Sequence, residues 1–242
     1  MIRIGLAIPT FNRKDNLKTL IDSIKENTPN IPYDLCCAVD GSTDGTVEML
    51  MEEGVEFIYG SNVGPQLNKN RLFRRFSDYN FLFMIEDDMR ITQKGWVELY
   101  ILASNLFNIP YFTYSSRDDQ DYQESRVECM GRTKIAWIKK HNSRFTFFTR
   151  RVMEKVGGID SRFKSYGMGS YEQFERMVSV GQIHKNYGIP VVIDSKYYIK
   201  PQENKICLIS EEAKIKILHE DLDIYNKIKY EKSNIKNSYR KL

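Results

Sequence analysis

Long apolar runs, histidine and strong charge bias are all in short supply in this chain of 242 residues. No apolar stretch approaches the ~20 residues that cross a bilayer as a helix. A strand-like stretch, Ile2 to Pro9, starts at once and leaves no room for a charged region, an apolar core and a cleavage site. Both absences point to the cytoplasm. The four cysteines, Cys36, Cys37, Cys129 and Cys207, show no metal-ligand spacing, and two are adjacent inside an apolar run, so reduced core thiols are expected. There are only three histidines, His141, His184 and His219. With 36 Lys and Arg against 32 Asp and Glu, the formal net charge of +4 suits the handling of phosphates. It falls short of the basic excess of a dedicated duplex-DNA binder. Internal repeats and low-complexity tracts are missing as well.

What is present describes a folded chain: 41% hydrophobic and 12% aromatic residues, and a length that buries one sizeable α/β core with appendages. Short apolar runs alternate with helix-period segments in the first half, the pattern of βαβ units forming a mostly parallel central sheet flanked by helices. Strands are expected at Arg3 to Pro9, Leu35 to Val39, Val55 to Tyr59 and Phe81 to Ile85. Leu17, Leu20, Ile21 and Ile24 recur at helical spacing between the first two. Asp44 can cap a helix with Val47, Leu50 and Met51 turned inward, and Gly54 can stop it. From Asp118 to Lys140 the chain is polar and reads as a loop and irregular strands. Short helices follow at Arg151 to Val156 and at Tyr171 to Val180. Ser210 opens a longer C-terminal helix with Ile215, Leu218, Leu222 and Tyr225 on one stripe.

In an open α/β sheet the ligand crevice lies beyond the carboxyl ends of the strands. Four polar clusters stand there: IPTFNR (Ile8 to Arg13), VDGSTDGT (Val39 to Thr46), NVGPQLNKN (Asn62 to Asn70) and MIEDDM (Met84 to Met89). In the last, Glu86, Asp87 and Asp88 leave a buried strand side by side. Their mutual repulsion calls for a cation, and a hard divalent ion, Mn2+ or Mg2+, held by one or two carboxylates and a diphosphate, is the natural partner.

These clusters, in this order, resemble those of family 2 glycosyltransferases with the GT-A nucleotide-diphospho-sugar fold, over roughly residues 2 to 194. IPTFNR is similar to the opening P-x-Y-N-R motif, VDGSTDGT to D-D-G-S-x-D-x-T, NVGPQLNKN to N-x-G-x-x-x-A-R-N, and Glu86 to Asp88 stand where D-x-D lies. Gly157 to Asp160 resembles G-G-F-D, and YGMGSYEQFERM stands in place of the acidic E-D motif. The resemblance implies a nucleotide-diphospho-sugar donor, a UDP-sugar foremost. Pro9, Thr10, Asn12 and Asp40 would lie around the nucleoside with Arg13 close by. Asn62, Lys69 and Asn70 would border the donor pocket, and Glu86 and Asp87 would approach the donor. Asp88 would bind the metal, with His184 as a late additional ligand. Glu172 would be the base that takes the acceptor proton, with Glu175, one helical turn away, as its alternative. Trp96 is expected to serve packing. Lys69 replaces the usual Arg, Glu86 the first Asp, and Gln173 the second acid of the catalytic motif.

The implied division is a GT-A domain over 1–205, with a donor half to about 92 and an acceptor and catalytic half from about 93, then a C-terminal helix and basic tail over 206–242. The acceptor is open: a glycan, a lipid-linked sugar, a protein or a modified nucleic-acid base. The Lys-rich tail suits anionic surfaces, a membrane among them. Nucleotidyl transfer is the rival reaction, but its usual Gly-rich loop after the first strand is replaced here by Thr10, Phe11 and Asn12. A non-catalytic sugar-nucleotide or glycan-binding module is the third reading.

Overall fold

The computed structural model describes residues 1–115, 123–139, 141–165, 167–184, 187–203 and 210–229. Residues 118–122 and 140 of the polar middle segment, Cys207 and the Lys-rich tail beyond 229 lie outside them. The order is β1 (Ile4–Thr10), α1 (Lys14–Asn27), β2 (Asp34–Asp40), α2 (Thr46–Glu52), β3 (Glu56–Gly60), α3 (Pro65–Arg75), β4 (Phe81–Ile85), β5 (Met89–Ile91) and α4 (Trp96–Phe107). Then come β6 (Tyr111–Thr113), β7 (Glu124–Met130), β8 (Thr133–Ile138), β9 (Phe145–Thr149), α5 (Arg150–Val156), α6 (Met168–Ser179), β10 (Ile189–Val192), a 3-10 turn (Ile193–Tyr197), β11 (Ile199–Pro201) and α7 (Glu211–Ile228).

Nine strands form one sheet in the order β3-β2-β1-β4-β9-β6-β10-β8-β7, and β11 pairs with β5 in a second, two-stranded sheet. From β3 to β4 every pairing is parallel, as the βαβ pattern requires. Beyond β4 the sheet is mixed: β9 runs antiparallel between β4 and β6. Because the chain passes from β1 to β2 on one side and reaches β4 on the other, a topological switch point opens between β1 and β4.

The core explains why these segments take these elements. β1 is buried along its whole length, and α1 lays Leu17, Leu20, Ile21 and Ile24 against the sheet with none exposed. Phe83 of β4 meets Trp96 and Phe147 edge-on at 5.1 Å each, and Trp96 donates its indole N–H to Thr28 at 3.0 Å. Trp96 therefore serves packing. Cys36 and Cys37 are buried free thiols, whereas Cys129 is exposed on β7 and is not a core residue.

Two expectations about side-chain placement are corrected. On α2 it is Met49 that is buried, at 8% exposure, while Met51 stands out at 65%. The short helix turns one residue further than its apolar pattern indicates. The described part of the middle segment holds strands: β7 and β8 form an antiparallel ladder with one irregularity between Glu124 and Arg126. On α7 the stripe Ile215, Leu218 and Leu222 is exposed, and the helix is held instead by buried Asp221 and Ile228.

Candidate active site

The first and second polar clusters are zipped together by their own side chains. Asn12, left-handed at φ 49, donates its backbone N–H to Ser42 Oγ at 2.9 Å and accepts from Thr43 N–H at 2.8 Å. Asparagine tolerates that conformation better than most residues. Asp44 accepts from the backbone of Lys14 at 2.9 Å and from Thr46 N–H at 3.2 Å, so it fastens the starts of α1 and α2 from the residue before Gly45, which occupies the cap position of α2. Gly41, at φ 75, leaves the room that a Cβ would take from the backbone nitrogen of Asn62, 2.9 Å away.

Thr10 and Arg13 cross the switch point to the acidic turn that follows β4. Thr10 Oγ1 donates to Asp87 Oδ2 at 2.8 Å and Arg13 Nη1 to Asp87 Oδ1 at 2.9 Å. Asp87 is 3% exposed, and burial pushes its carboxyl up to about 7 against the pull of Arg13. It is thus the inward anchor of the turn. Glu86 pairs with the buried Lys69, and Asp88 Oδ2 lies 3.9 Å from the same Arg13 nitrogen that binds Asp87. Asp88 Oδ1 is buried and finds no hydrogen-bond partner among the described residues. A buried carboxylate oxygen in that state is costly unless a cation or donor arrives. Among the described residues no three His, Cys, Asp or Glu converge on one point.

A residue that the motifs do not contain completes the turn. Gln202, just after β11, donates through Nε2 to the carbonyls of Met89, Asn16 and Asp87 at 2.8, 2.9 and 3.2 Å. Its Oε1 accepts from Asn16 Nδ2 at 2.9 Å, and its backbone N–H donates to Asp88 O at 2.7 Å. Nothing in the local sequence signals this role. Only the pairing of β11 with β5 brings Gln202 to the acids.

Asp40 ends β2 and is fully engaged by protein donors. It is 3% exposed, and its oxygens accept from Val63 N–H and Gly64 N–H at 2.9 Å each and from Arg71 Nη1 at 3.2 Å. Its carboxylate holds the loop before α3. Asn70 is likewise buried, exchanging two 2.8 Å bonds with the backbone of Ile159. It ties the third cluster to the Gly157 to Asp160 turn rather than lining an open pocket. Asn62 is exposed and Pro9 is buried within β1.

Glu172 is no solvated surface acid: it is 4% exposed and lies 2.9 Å from Arg176, one turn along α6. Arg176 also donates to the carbonyls of Val156 and Gly158, the latter at 2.7 Å. Gln173 donates to Gly157 O at 3.0 Å. Glu175 accepts from the phenol of Tyr225 on α7. A cavity of about 10 Å³, room for one water, separates Lys69 and Met84 from Tyr111, Ser143, Ser170 and Gln173. Tyr111 bonds His141 Nε2 at 2.7 Å, and burial with Lys69 close by pulls the imidazole down to about 3, so it is neutral there. His184 stacks on Tyr187 at 4.1 Å, and Tyr187 packs on Trp137 of β8 at 5.3 Å. That is near the β7 edge of the sheet, so the structure does not bring His184 to Asp88, which follows β4.

A crevice at a β1/β4 switch point, floored by a divided acidic turn, defines the GT-A nucleotide-diphospho-sugar transferase fold. The chain belongs to the family described as Glycosyl transferase family 2, whose profile matches residues 6–168. The chondroitin synthase of Pasteurella multocida (strain Pm70) is 22% identical over 225 residues, covering 74% of this chain and 23% of that protein. This chain therefore spans less than a quarter of that relative. S. aureus TarS 1-349 in complex with UDP-GlcNAc superposes with a TM-score of 0.57 at 14% identity, over 93% of this chain and 67% of that TarS chain. The glucosyl-3-phosphoglycerate synthase of Mycobacterium tuberculosis, in complex with Mn2+, uridine diphosphate and phosphoglyceric acid, gives 0.56 at 13% identity, over 79% and 70%. These two likenesses establish the fold. Among the described residues no helix is long and apolar enough to cross a membrane.

Proposed function

We propose that this chain moves a sugar from a nucleotide-diphospho-sugar, a UDP-sugar foremost, to an acceptor hydroxyl with inversion at the anomeric carbon. The observation that carries the reading is Asp88 Oδ1, buried without a protein partner at the mouth of the β1/β4 crevice. Its chemistry fits Mn2+ or Mg2+, which take one or two protein carboxylates and fill the remaining positions with phosphate oxygens and water. When bound, such an ion supplies Lewis-acid stabilisation to the departing diphosphate. The solved neighbours with Mn2+ and UDP, or with UDP-GlcNAc, support that choice of ligands.

The chain's own residues then divide the work. Asp88 holds the ion, while Thr10, Arg13 and Gln202 fix the turn that presents it. Glu86 and Lys69 border the donor together as an ion pair. Glu172 takes the acceptor proton as the hydroxyl oxygen bonds to the anomeric carbon and the bond to the diphosphate oxygen breaks. Its pairing with Arg176 orients the carboxylate from the same helix.

A thermal-shift screen of UDP-, GDP- and dTDP-sugars with and without Mn2+ tests the reading. A ligand at a hundred times its Kd adds about 2.7 kcal/mol of stability. Mn2+-dependent stabilisation by a nucleotide sugar, followed by release of nucleoside diphosphate, is the expected result. Pyrophosphate release from a nucleoside triphosphate would instead favour nucleotidyl transfer, and tight donor binding with no release at all a binding module.

A further inference from the structure

α6, which carries Glu172, has no cap of its own. Its first flanking residue is Gly167, with φ 127 and no side chain to offer. The acceptor comes from α7 instead: Asp221 Oδ2 accepts from Met168 N–H at 3.1 Å across 53 residues of chain, and Asp221 is 3% exposed. The fit is close, since a Cβ on Gly167 would stand 2.8 Å from that same oxygen. One turn further along α7, Tyr225 donates its hydroxyl to Glu175, and its ring lies 6.1 Å from that of Tyr171. So α7 holds α6 at its first turn and again beside Glu172, in the stretch where an error of register would displace the carboxylate. Yet α7 lies wholly beyond the residues that the family profile matches.

We propose that α7 is a clamp that sets the position of the Glu172 helix, with Asp221 as a positioning residue for the reaction. The catalytic half of this inference rests on the reading of Glu172 as the base; the structural half does not. Asp221 acts as an acceptor for a backbone N–H, a role that an asparagine carbonyl fills and an alanine cannot. Tyr225→Phe loosens the second contact without emptying it of packing.

The test compares the full-length parent with Asp221→Ala, Asp221→Asn and Tyr225→Phe. Amide hydrogen exchange over residues 168–172 is expected to speed up about five- to ten-fold in Asp221→Ala, the equivalent of a lost cap, and to stay near the parent in Asp221→Asn. Release of UDP from UDP-GlcNAc and UDP-glucose with Mn2+ is expected to show a lower kcat in Asp221→Ala at unchanged donor KM, restored in Asp221→Asn. Unchanged exchange in both Asp221→Ala and Tyr225→Phe overturns the clamp. Faster exchange with an unchanged kcat overturns its link to Glu172. A parent that releases no UDP from either sugar counts against the transferase reading, and the exchange arm then decides the clamp by itself.

Discussion

Asp40 and Asp88 stand at the carboxyl ends of the two strands that flank β1, and their surroundings give them opposite consequences. Asp40 is saturated by two backbone N–H groups and Arg71, so Asp40→Ala leaves the part-buried N–H groups of Val63 and Gly64 without that acceptor and Arg71 Nη1 with Asn68 Oδ1 alone. A loss of about 2–4 kcal/mol is expected in urea unfolding, whether or not nucleotide is present. Asp88 has an oxygen with no partner, so Asp88→Asn is expected to leave the unfolding midpoint of the free protein within about 0.5 kcal/mol of the parent. The Mn2+-dependent part of donor affinity, measured by calorimetry, is expected to vanish. With Glu172 as the proposed base, Glu172→Gln is expected to lower kcat by about 10² to 10⁴ at unchanged donor affinity, measured at saturating donor and metal. Glu175→Gln serves as its control: a dead Glu175→Gln beside an active Glu172→Gln would move the base by one helical turn.

Elements differ in how far the sequence announces them. β1, β2 and β4 are legible because each apolar run ends at a polar cluster, and α1 because four apolar residues repeat at helical spacing. α2 is harder, since seven residues define a face only to within a residue, and Met49 rather than Met51 takes the inner place. α7 misleads outright: its apolar stripe faces out because Asp221 has a backbone N–H to reach and the stripe has no matching surface. The two residues that fasten the site from afar, Gln202 and Asp221, carry no local pattern at all. Burial pushes the Asp221 carboxyl up to about 6, with Glu220 adding to the shift and the Met168 N–H opposing it. A folded value above the unfolded one means that the folded state holds its proton longer, so this group costs stability as pH rises from about 4 to about 6. Asp221→Asn removes that dependence. The stability of the variant relative to the parent is expected to climb by about 1–3 kcal/mol across that window and then level off, read from unfolding curves at each pH.

At the scale of the whole molecule, the third cluster joins the β1 to β4 half of the chain to the segment that follows α5. Asn70 grips Ile159 from one side, and Gly64 lies so near Lys164 that a Cβ there would fall 1.9 Å from its carbonyl oxygen. With φ at 90 besides, Gly64→Ala is expected to cost at least about 3 kcal/mol in chemical denaturation and to weaken donor binding with it. The second long-range join has a consequence in time. Gln202 is made 115 residues after Asp87, whose carbonyl it binds. At about 5–20 residues per second, a ribosome carries the acidic turn for roughly ten seconds before its last hydrogen-bond partner exists. β1 to β4 can pair during that interval, and Thr10, Arg13 and Lys69 are already there to hold the side chains of Asp87 and Glu86. What waits for Gln202 is the backbone of the turn, the carbonyls of Asp87, Asp88 and Met89, which stay hydrated long after their own strand has paired.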